Sequence, residues 1–371
     1  MKIIKLYAYL HDNLGDDLML HILLTNFPQC KFWFDGVSPE SNKFLRYPNF
    51  KNQAPLYLKY GRLNHILNIL TLYKKEDFLI KHLCRKQTAK CCASLMIGGS
   101  MFIENSGIPP SERITLEESR LNVFPRFVIG VNFGPYSSDD YVPQFSNYFR
   151  RCKSVTFRDQ HSYDLFHDLD CVSYAPDVVL NLDFPAPLDA RGGNAIIISV
   201  IDTRGRGWDG AICDRYEQFI LEFCNECLLR NMKPVLMSFC SYEGDSNAIS
   251  RILALAGPDK SHRIGAYHYE GNMNEALNLL RDSSFVLATR FHAMILALLL
   301  HKPFFSIAYD PKIQWVLKDI KSDAFCAIDD IQRLCPANIL DTYNHPLDVD
   351  DYIQDARDQF RSFEQFVDCD D

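Results

Sequence analysis

The chain has 371 residues, of which 47% are apolar and 13% aromatic, and its 39 Lys and Arg against 47 Asp and Glu give a formal net charge of −8. This composition excludes a disordered chain, a collagen-like repeat and a simple coiled coil, and the acidic balance gives no support for nucleic-acid binding. Because single hydrophobic cores stop growing at about 250–300 residues, we expect two domains.

Short apolar runs alternate with amphipathic stretches along the chain, which is typical of α/β proteins with parallel sheets. In the first half, the predicted elements are strands at 3–10, 31–34, 93–97, 127–131, 154–157 and 172–175, and helices at 15–25 and 162–169. The segment 182–193 is rich in Pro, Asp and Gly and lacks apolar periodicity, so it predicts a linker.

A second series of the same kind follows this linker. Its predicted elements are strands at 195–200, 234–239, 285–289 and 304–308, and helices at 214–231, 246–255, 272–282 and 292–301. At 348–367, apolar residues recur at steps of three and four, which predicts an amphipathic helix that packs back on the body of the protein. The pattern therefore predicts two parallel-sheet domains joined by a short hinge.

The thirteen cysteines are odd in number and scattered along the chain, unlike the framework of a small secreted disulfide domain. We expect the cysteines to be reduced thiols. Cys224 and Cys227 form a C-x-x-C pair within a predicted helix, and a redox or metal role for this pair is the alternative. The first residues predict a strand rather than the apolar core of a signal sequence, and no window approaches the run of about 18 apolar residues that spans a membrane. We therefore expect a soluble, cytoplasmic protein.

Five predicted loops follow strands and precede helices, where open parallel sheets bind ligands. They contain Asn13-Leu14-Gly15-Asp16-Asp17, Gly98-Gly99-Ser100, Asn132-Phe133-Gly134-Pro135, Arg158-Asp159 and Arg290-Phe291-His292. The glycines of the first three allow a ligand to approach closely, and each of these loops is also explained as a plain turn. The second loop is not a Walker loop, because no Gly-Lys-Ser or Gly-Lys-Thr follows it.

The charged loops carry stronger indications of chemistry. Arg158 ends a strand, where its planar guanidinium can bind a phosphate or carboxylate in a bidentate way, and the alternative is a local ion pair with Asp159 or another acid. Glu243-Gly244-Asp245 follows another predicted strand and either binds sugar hydroxyls or caps the next helix.

Arg290 and His292 are the only titratable residues in the almost wholly apolar run 284–300. Charged or titratable groups in such surroundings are costly unless they are paired or functional. They also fall where a strand ends and a helix begins, which favours anion binding. The sequence therefore predicts a functional pair, and the alternative is a satisfied core histidine beside a structural arginine.

Taken in order, these motifs resemble the polysaccharide pyruvyl transferase family. The matching elements are Asn13-x-Gly15-Asp16, Gly98-Gly99, Gly130-x-Asn132-x-Gly134-Pro135, Arg158-Asp159, Ala175-Pro176-Asp177, Glu243-Gly244-Asp245, Arg290-x-His292-Ala293 and Ala308-Tyr309-Asp310-x-Lys312. Each motif is short, and the specificity lies in their order over residues 13–312. One departure is Ser100, where the family usually has a third glycine.

The resemblance implies a GT-B-like α/β fold with two Rossmann-like domains whose parallel sheets face each other across a cleft. The expected ranges are 1–185 for the domain on the acceptor side, 194–345 for the domain on the phosphoenolpyruvate side, and 348–367 for the C-terminal helix. The implied reaction moves pyruvate from phosphoenolpyruvate onto two hydroxyls of a sugar, which forms a cyclic ketal and releases phosphate.

Phosphoenolpyruvate carries a phosphate and a carboxylate, so we expect at least two cationic partners, and Arg158 and Arg290 are the candidates. His292 is the candidate general acid that protonates the methylene carbon, because its ordinary pKa suits proton transfer near neutral pH. The loop residues are expected to bind substrate: Asn13, Gly15, Asp16, Gly98, Gly99, Ser100, Asn132, Gly134, Glu243, Gly244 and Asp245. No metal and no further cofactor is expected.

The resemblance implies an acceptor sugar of a capsule, exopolysaccharide or cell-wall polymer, such as a galactoside on a lipid carrier, and leaves the sugar and the oligomeric state open. With such an acceptor, the protein would work at the inner face of the membrane. The stretch 51–92 has nine Lys and Arg against two acids, and it is either a surface for anionic lipid or an ordinary solvated helix face.

Two other functions remain open at this point. The same architecture serves nucleotide-sugar glycosyltransferases, in which Arg290 would hold a diphosphate and Glu243-Gly244-Asp245 would hold the donor sugar. A non-catalytic carbohydrate-binding or scaffold protein is the other alternative, and costly charges within an apolar run argue against it.

Overall fold

The computed structural model describes residues 1–34, 39–52, 88–104, 107–185 and 193–369. The chain divides into two compact units. The first unit comprises Met1–Leu10, Met19–Val178 and Arg357–Asp371, and the second comprises His11–Leu18 and Val179–Ala356. Most of the basic stretch 51–92 lies outside the described residues.

The described part of the first unit forms a parallel sheet of seven strands in the order β3-β2-β1-β4-β5-β6-β7. Its strands are β1 Ile3–Ala8, β2 Lys31–Phe34, β3 Phe50–Asn52, β4 Ala93–Ile97, β5 Arg126–Val131, β6 Ser154–Phe157 and β7 Val172–Tyr174. β4 and β5 are buried along their whole length, which explains why they are continuous apolar runs rather than alternating patterns.

The second unit contains a parallel sheet of six strands in the order β10-β9-β8-β11-β12-β13, counted over its described residues. These strands are β8 Ala195–Ser199, β9 Lys233–Met237, β10 Gly265–Tyr267, β11 Ser283–Ala288, β12 Phe304–Ala308 and β13 Phe325–Ala327. In each sheet the strand order reverses once, between β1 and β4 and between β8 and β11. Ligands of doubly wound sheets bind beside such a reversal, at the carboxyl ends of the strands.

Helices connect the strands in both units. They are α1 Leu14–Asn26, α2 Pro110–Arg120, α3 Tyr141–Phe149, α4 Gln160–Asp164, α5 Gly210–Leu229, α6 Asp245–Ala256, α7 Pro258–Ser261, α8 Met273–Arg281, α9 Phe291–Leu299, α10 Pro311–Asp319, α11 Pro336–Thr342, α12 Asp350–Asp355 and α13 Arg361–Asp368. Short 3-10 helices cover Pro39–Arg46, Val178–Asn181, Ile328–Arg333 and Ala356–Phe360. Several α-helices begin at an N-cap side chain: Asp159 accepts from the Ser162 amide, Asp209 from the Ala211 amide and Asp310 from the Lys312 amide, as is usual for aspartate at this position.

The core of the first unit includes a cluster of aromatic side chains between its sheet and its helices. Phe133 and Phe166 pack edge to face with ring centroids 4.8 Å apart, and Phe149 and Phe166 do so at 5.0 Å. Such pairs add to the stability gained from burial alone. Phe133 of the loop Asn132-Phe133-Gly134 belongs to this cluster, and its amide donates to the Ser162 hydroxyl at 2.8 Å.

The two units differ from the predicted ranges 1–185 and 194–345. The first unit gives way to the second after Val178, and residues 11–18 cluster with the second unit. The reason is a set of long-range bonds: the Leu14 amide donates to the Phe239 carbonyl at 3.0 Å, and the Tyr269 hydroxyl donates to Asp17 at 2.6 Å. Periodicity within a segment gives no information about such partners.

The C-terminal segment is divided between the two units: α12 belongs to the second unit, and residues 357–371 belong to the first. Residues 350–368 are helical, but 3-10 residues separate α12 from α13, so the predicted range 348–367 is not one continuous α-helix. The Phe363 ring lies 4.9 Å from that of Phe27 and 5.2 Å from that of Phe127. The tail therefore closes part of the hydrophobic core of the first unit.

The cysteines that the structure describes are all free thiols. Burial raises the pKa of the Cys224 thiol, and it raises that of Cys227 to about 12. Thiols with raised pKa values react poorly, so the environment of this pair argues against a redox role. Over the same described ranges, no helix has the length and apolar character needed to cross a membrane.

We expect Phe363→Ala to lower the free energy of unfolding by about 3–5 kcal/mol, because it empties a site among several aromatic rings. Chemical denaturation measures this change. Leu116→Ala is the matched control, since Leu116 lies on α2 of the same unit and is 40% exposed; we expect a change within about 0.5 kcal/mol. Equal effects of the two variants would show that the tail does not complete the core.

Candidate active site

Four predicted site residues of the second unit lie in loops or first helical turns that follow its strands. Arg290 and His292 follow β11, and Glu243 and Asp245 follow β9. Arg206, which belongs to none of the sequence motifs, follows β8 and contacts Glu243. The strand order reverses between β8 and β11, so these side chains occupy the usual ligand-binding position of such a sheet.

Arg290 is held by two carboxylates. Its side chain is 7% exposed, its Nε donates to Asp245 Oδ2 at 3.0 Å, and a second nitrogen donates to Asp245 Oδ1. Its Nη1 donates to Glu243 Oε2 at 2.5 Å. Burial disfavours the charge of Arg290, but Asp245 and Glu243 outweigh it and hold the pKa of this guanidinium above its usual value. Arg290 is therefore a fully charged group with a fixed orientation.

Asp245 is completely buried, and its side chain accepts four hydrogen bonds from three residues. Besides Arg290, its Oδ2 accepts from the backbone amides of Phe239 at 3.0 Å and Cys240 at 2.9 Å. Asp245 is predicted to bind substrate, but its surroundings are those of a residue that fixes the orientation of Arg290. Ser199, which no sequence pattern indicated, accepts from the Thr289 and Arg290 amides at 2.8 and 3.0 Å and fixes the other side of the loop.

His292 lies directly against Gly15. A Cβ atom on Gly15 would stand 1.8 Å from His292 Nδ1 and 2.1 Å from its Cγ. The Gly15 amide donates to Asn13 Oδ1 at 3.0 Å, and Asn13 forms a β-bridge with Cys240. The space at Gly15, where the sequence predicts close approach of a ligand, is filled in this structure by the His292 imidazole, which packs against residues 13–15.

Arg158 is the corresponding buried cation of the first unit, with 1% of its surface exposed. Its Nη1 donates to Asp177 at 2.8 Å, and its Nη2 donates to Asn132 Oδ1 at 2.7 Å. A Cβ on Gly99 would lie 2.5 Å from the guanidinium, and the Ser100 hydroxyl donates to Asn132 Oδ1 at 3.1 Å. Three other predicted site residues, Gly99, Ser100 and Asn132, therefore lie at or next to the Arg158 side chain.

The carboxylate that pairs with Arg158 is not its neighbour in sequence. Asp159 instead accepts from the amide and the hydroxyl of Ser162 at 2.8 and 3.0 Å. Asp177 belongs to the motif Ala175-Pro176-Asp177, so the sequence showed its presence but not its role. Gln359 of the tail fixes this motif, since its amide nitrogen donates to the carbonyls of Ala175 and Pro176 at 2.7 and 3.0 Å.

The remaining predicted residues have less specific surroundings. Asp16 lies in the first turn of α1. The Gly134 carbonyl accepts from Asn132 Nδ2 at 3.4 Å, and the Gly244 amide donates to the Ser241 carbonyl at 3.1 Å. Gly98 follows β4, directly before Gly99.

Two further features bear on other kinds of site. Within the described part of the chain, no three His, Cys, Asp or Glu side chains are grouped so that they hold a metal ion. A cavity of about 880 Å³ in the second unit is lined by α5, α6 and the 3-10 helix Ile328–Arg333. It contains none of the predicted site residues, and its lining includes the Glu217–Arg251 ion pair.

We expect Gly15→Ala to displace the His292 imidazole, because the added methyl group overlaps the ring while the backbone accepts any residue. Overpacking of this kind costs about 1–3 kcal/mol of stability. The NMR signals of the imidazole and the unfolding midpoint measure the two effects. Gly210→Ala is the control, since a Cβ there meets no atom within 4 Å. An unchanged imidazole signal in Gly15→Ala would show that His292 does not pack against Gly15.

We expect Asp177→Asn to destabilise the protein by about 3–5 kcal/mol, because it leaves the buried charge of Arg158 without its carboxylate. Asp168→Asn provides a matched control in the same unit. Asp168 pairs with Arg150 at 3.6 Å on the surface, with a side chain that is 63% exposed, and such pairs contribute about 0–1 kcal/mol. Denaturation curves that shift equally for both variants would refute the structural role of the Arg158–Asp177 pair.

Known structures resemble the chain at low sequence identity. The UDP-GlcNAc 2-epimerase of Methanocaldococcus jannaschii is 9% identical, with a TM-score of 0.54 and coverage of 99% of each chain. Anabaena HepE, in a complex with UDP and glucose, is 10% identical, with a TM-score of 0.53 and coverage of 99% of this chain and 98% of the other. These likenesses show the fold alone and confirm a GT-B-like chain with two Rossmann-like units.

The family assignment rests on a separate comparison. The family model described as "Polysaccharide pyruvyl transferase" matches residues 13–311. This range begins at the loop against which His292 packs, and it includes Arg158, Arg290 and their carboxylate partners. The protein belongs to the polysaccharide pyruvyl transferase family.

Proposed function

We propose that the protein transfers pyruvate from phosphoenolpyruvate onto two hydroxyls of a sugar, forming a cyclic ketal and releasing phosphate. The observation that carries this proposal is the junction after β11, where a buried, charge-paired Arg290 stands two residues from His292. An anionic donor needs a cation and its methylene carbon needs an acid, and these two side chains supply both. Family membership supports the same reaction class.

In this mechanism, His292 in its protonated form gives a proton to the methylene carbon, and the enol carbon becomes electrophilic. A first sugar hydroxyl adds to that carbon, and a second hydroxyl then displaces phosphate from the adduct. One hydroxyl proton restores His292 and the other leaves with the phosphate. The step balances without an oxidant, and no metal or further cofactor has a part in it.

The arginines have the properties that recognition of a phosphate and a carboxylate requires. Arg290 and Arg158 are each fixed in orientation by a carboxylate of their own unit, so little conformational entropy is lost when an anion binds. We assign the donor to the second unit. The acceptor is assigned to the first unit, where Gly98, Ser100 and Asn132 lie near Arg158.

The acceptor class follows from the family description, which names polysaccharides. We propose a sugar of a capsule or exopolysaccharide repeat unit, such as a galactoside on a lipid carrier. Synthesis of such units would place the protein in the cytoplasm, at the inner face of the membrane. The predicted membrane contact through 51–92 falls largely outside the described residues and stays a prediction, which co-sedimentation with anionic vesicles at low salt tests.

The direct experiment measures phosphate release from phosphoenolpyruvate against a panel of β-galactosides and lipid-linked oligosaccharides. We expect release that depends on one class of acceptor. A thermal-shift assay adds a second criterion, since the proposal predicts stabilisation by phosphoenolpyruvate. Stabilisation by a nucleoside diphosphate, with none by phosphoenolpyruvate, would instead indicate a nucleotide-sugar glycosyltransferase.

We expect His292→Ala to abolish ketal formation while phosphoenolpyruvate binding stays within about tenfold of the wild type, because the general acid contributes to the transition state rather than to ground-state binding. Product formation and calorimetric titration measure the two quantities. His345→Ala, which changes an exposed histidine of the same unit, serves as the control. Turnover near the wild-type rate in His292→Ala would show that another group is the acid.

A further inference from the structure

The Glu243 carboxylate occupies the position at which an anionic ligand would meet two guanidinium groups. Its Oε2 accepts from Arg290 Nη1 at 2.5 Å and also from Arg206 Nη2. Two guanidinium groups that converge on one oxygen form the arrangement by which proteins recognise phosphate and carboxylate ligands. In this structure a side chain of the protein itself fills that place.

Glu243 differs from Asp245 in the way it is held. Asp245 is fully buried and bonded to two backbone amides as well as to Arg290. The Glu243 side chain is 29% exposed, and its carboxylate accepts from arginine side chains on other loops. An incoming anion can therefore displace the Glu243 carboxylate while Asp245 keeps Arg290 in place.

The surroundings of Glu243 favour an anion strongly. Burial disfavours its charge, but Arg290, Arg206 and Lys312 outweigh that effect and lower the pKa of the carboxyl below its usual value. The Arg206 guanidinium lies 5.1 Å from the centre of the Tyr309 ring, a cation–π contact that orients it. The loops after β8, β9, β11 and β12 thus contribute to one electropositive position.

We propose that Glu243 is an internal substitute for the anionic group of the donor, and that Arg206 together with Arg290 binds this group once Glu243 has moved aside. The ligand chemistry is that of a phosphate or carboxylate. Its identification as phosphoenolpyruvate rests on the proposed function, whereas the anion position itself rests on these contacts. Arg206 becomes a ligand-contacting residue that the family motifs do not include.

This arrangement lowers the apparent affinity for the anion, since part of the binding free energy displaces Glu243. Glu243→Gln retains the size of the side chain and removes the competing charge. We expect it to bind inorganic phosphate and phosphoenolpyruvate about tenfold more tightly than the wild type, because the competent state is then more populated. Arg206→Gln is expected to weaken the binding of both ligands by about tenfold, because a charge-assisted bond is lost. We expect the same factor when Arg206→Gln is added to Glu243→Gln and compared with that single variant.

Calorimetric titration at fixed ionic strength measures these affinities, with the unfolding midpoint of each variant as a check on folding. Glu270→Gln changes an exposed glutamate of the same unit and should leave both affinities unchanged. Tighter binding of phosphate but not of phosphoenolpyruvate by Glu243→Gln would support the anion position and count against the proposed donor. Unchanged or weaker binding of both ligands by folded Glu243→Gln, or no binding by any variant, would overturn the proposal.

Discussion

The Asp245 carboxylate organises the part of the second unit that carries the candidate site. It bonds the end of β9 through the amides of Phe239 and Cys240, and it bonds the loop after β11 through Arg290. The same stretch receives the Leu14 amide at Phe239, which brings Gly15 to the His292 ring. The orientation of the proposed acid and that of the proposed anion contact therefore depend on one buried carboxylate.

The first unit also contains a buried arginine that is paired with a buried aspartate. A buried arginine is costly without an opposing charge, and Asp177 supplies that charge to Arg158 as Asp245 does to Arg290. In both units a glycine leaves the space that the functional side chain fills. Each unit therefore holds one cation in a fixed orientation, and rigidity of this kind favours electrostatic recognition of an anionic group.

The sequence was most informative where its local pattern was costly or periodic. The alternation of strands and helices predicted both sheets, and the isolated charges of Arg290 and His292 marked the active-site candidate. Partners that are distant in the chain were not predictable: Asp177 for Arg158, Ser199 for the loop after β11, and Arg206 for Glu243. The assignment of residues 11–18 to the second unit was not predictable for the same reason, because long-range hydrogen bonds such as that of the Leu14 amide produce no periodic pattern in the sequence.

Direct detection of the product tests the central claim. Phosphoenolpyruvate that is isotopically labelled at its enol carbon would be incubated with the protein and the acceptor panel, and the sugar product examined by NMR. The account predicts a labelled carbon joined to two oxygens of one sugar, with an equal amount of phosphate released. Label that remains in phosphoenolpyruvate, or appears only as free pyruvate with every acceptor, would contradict it.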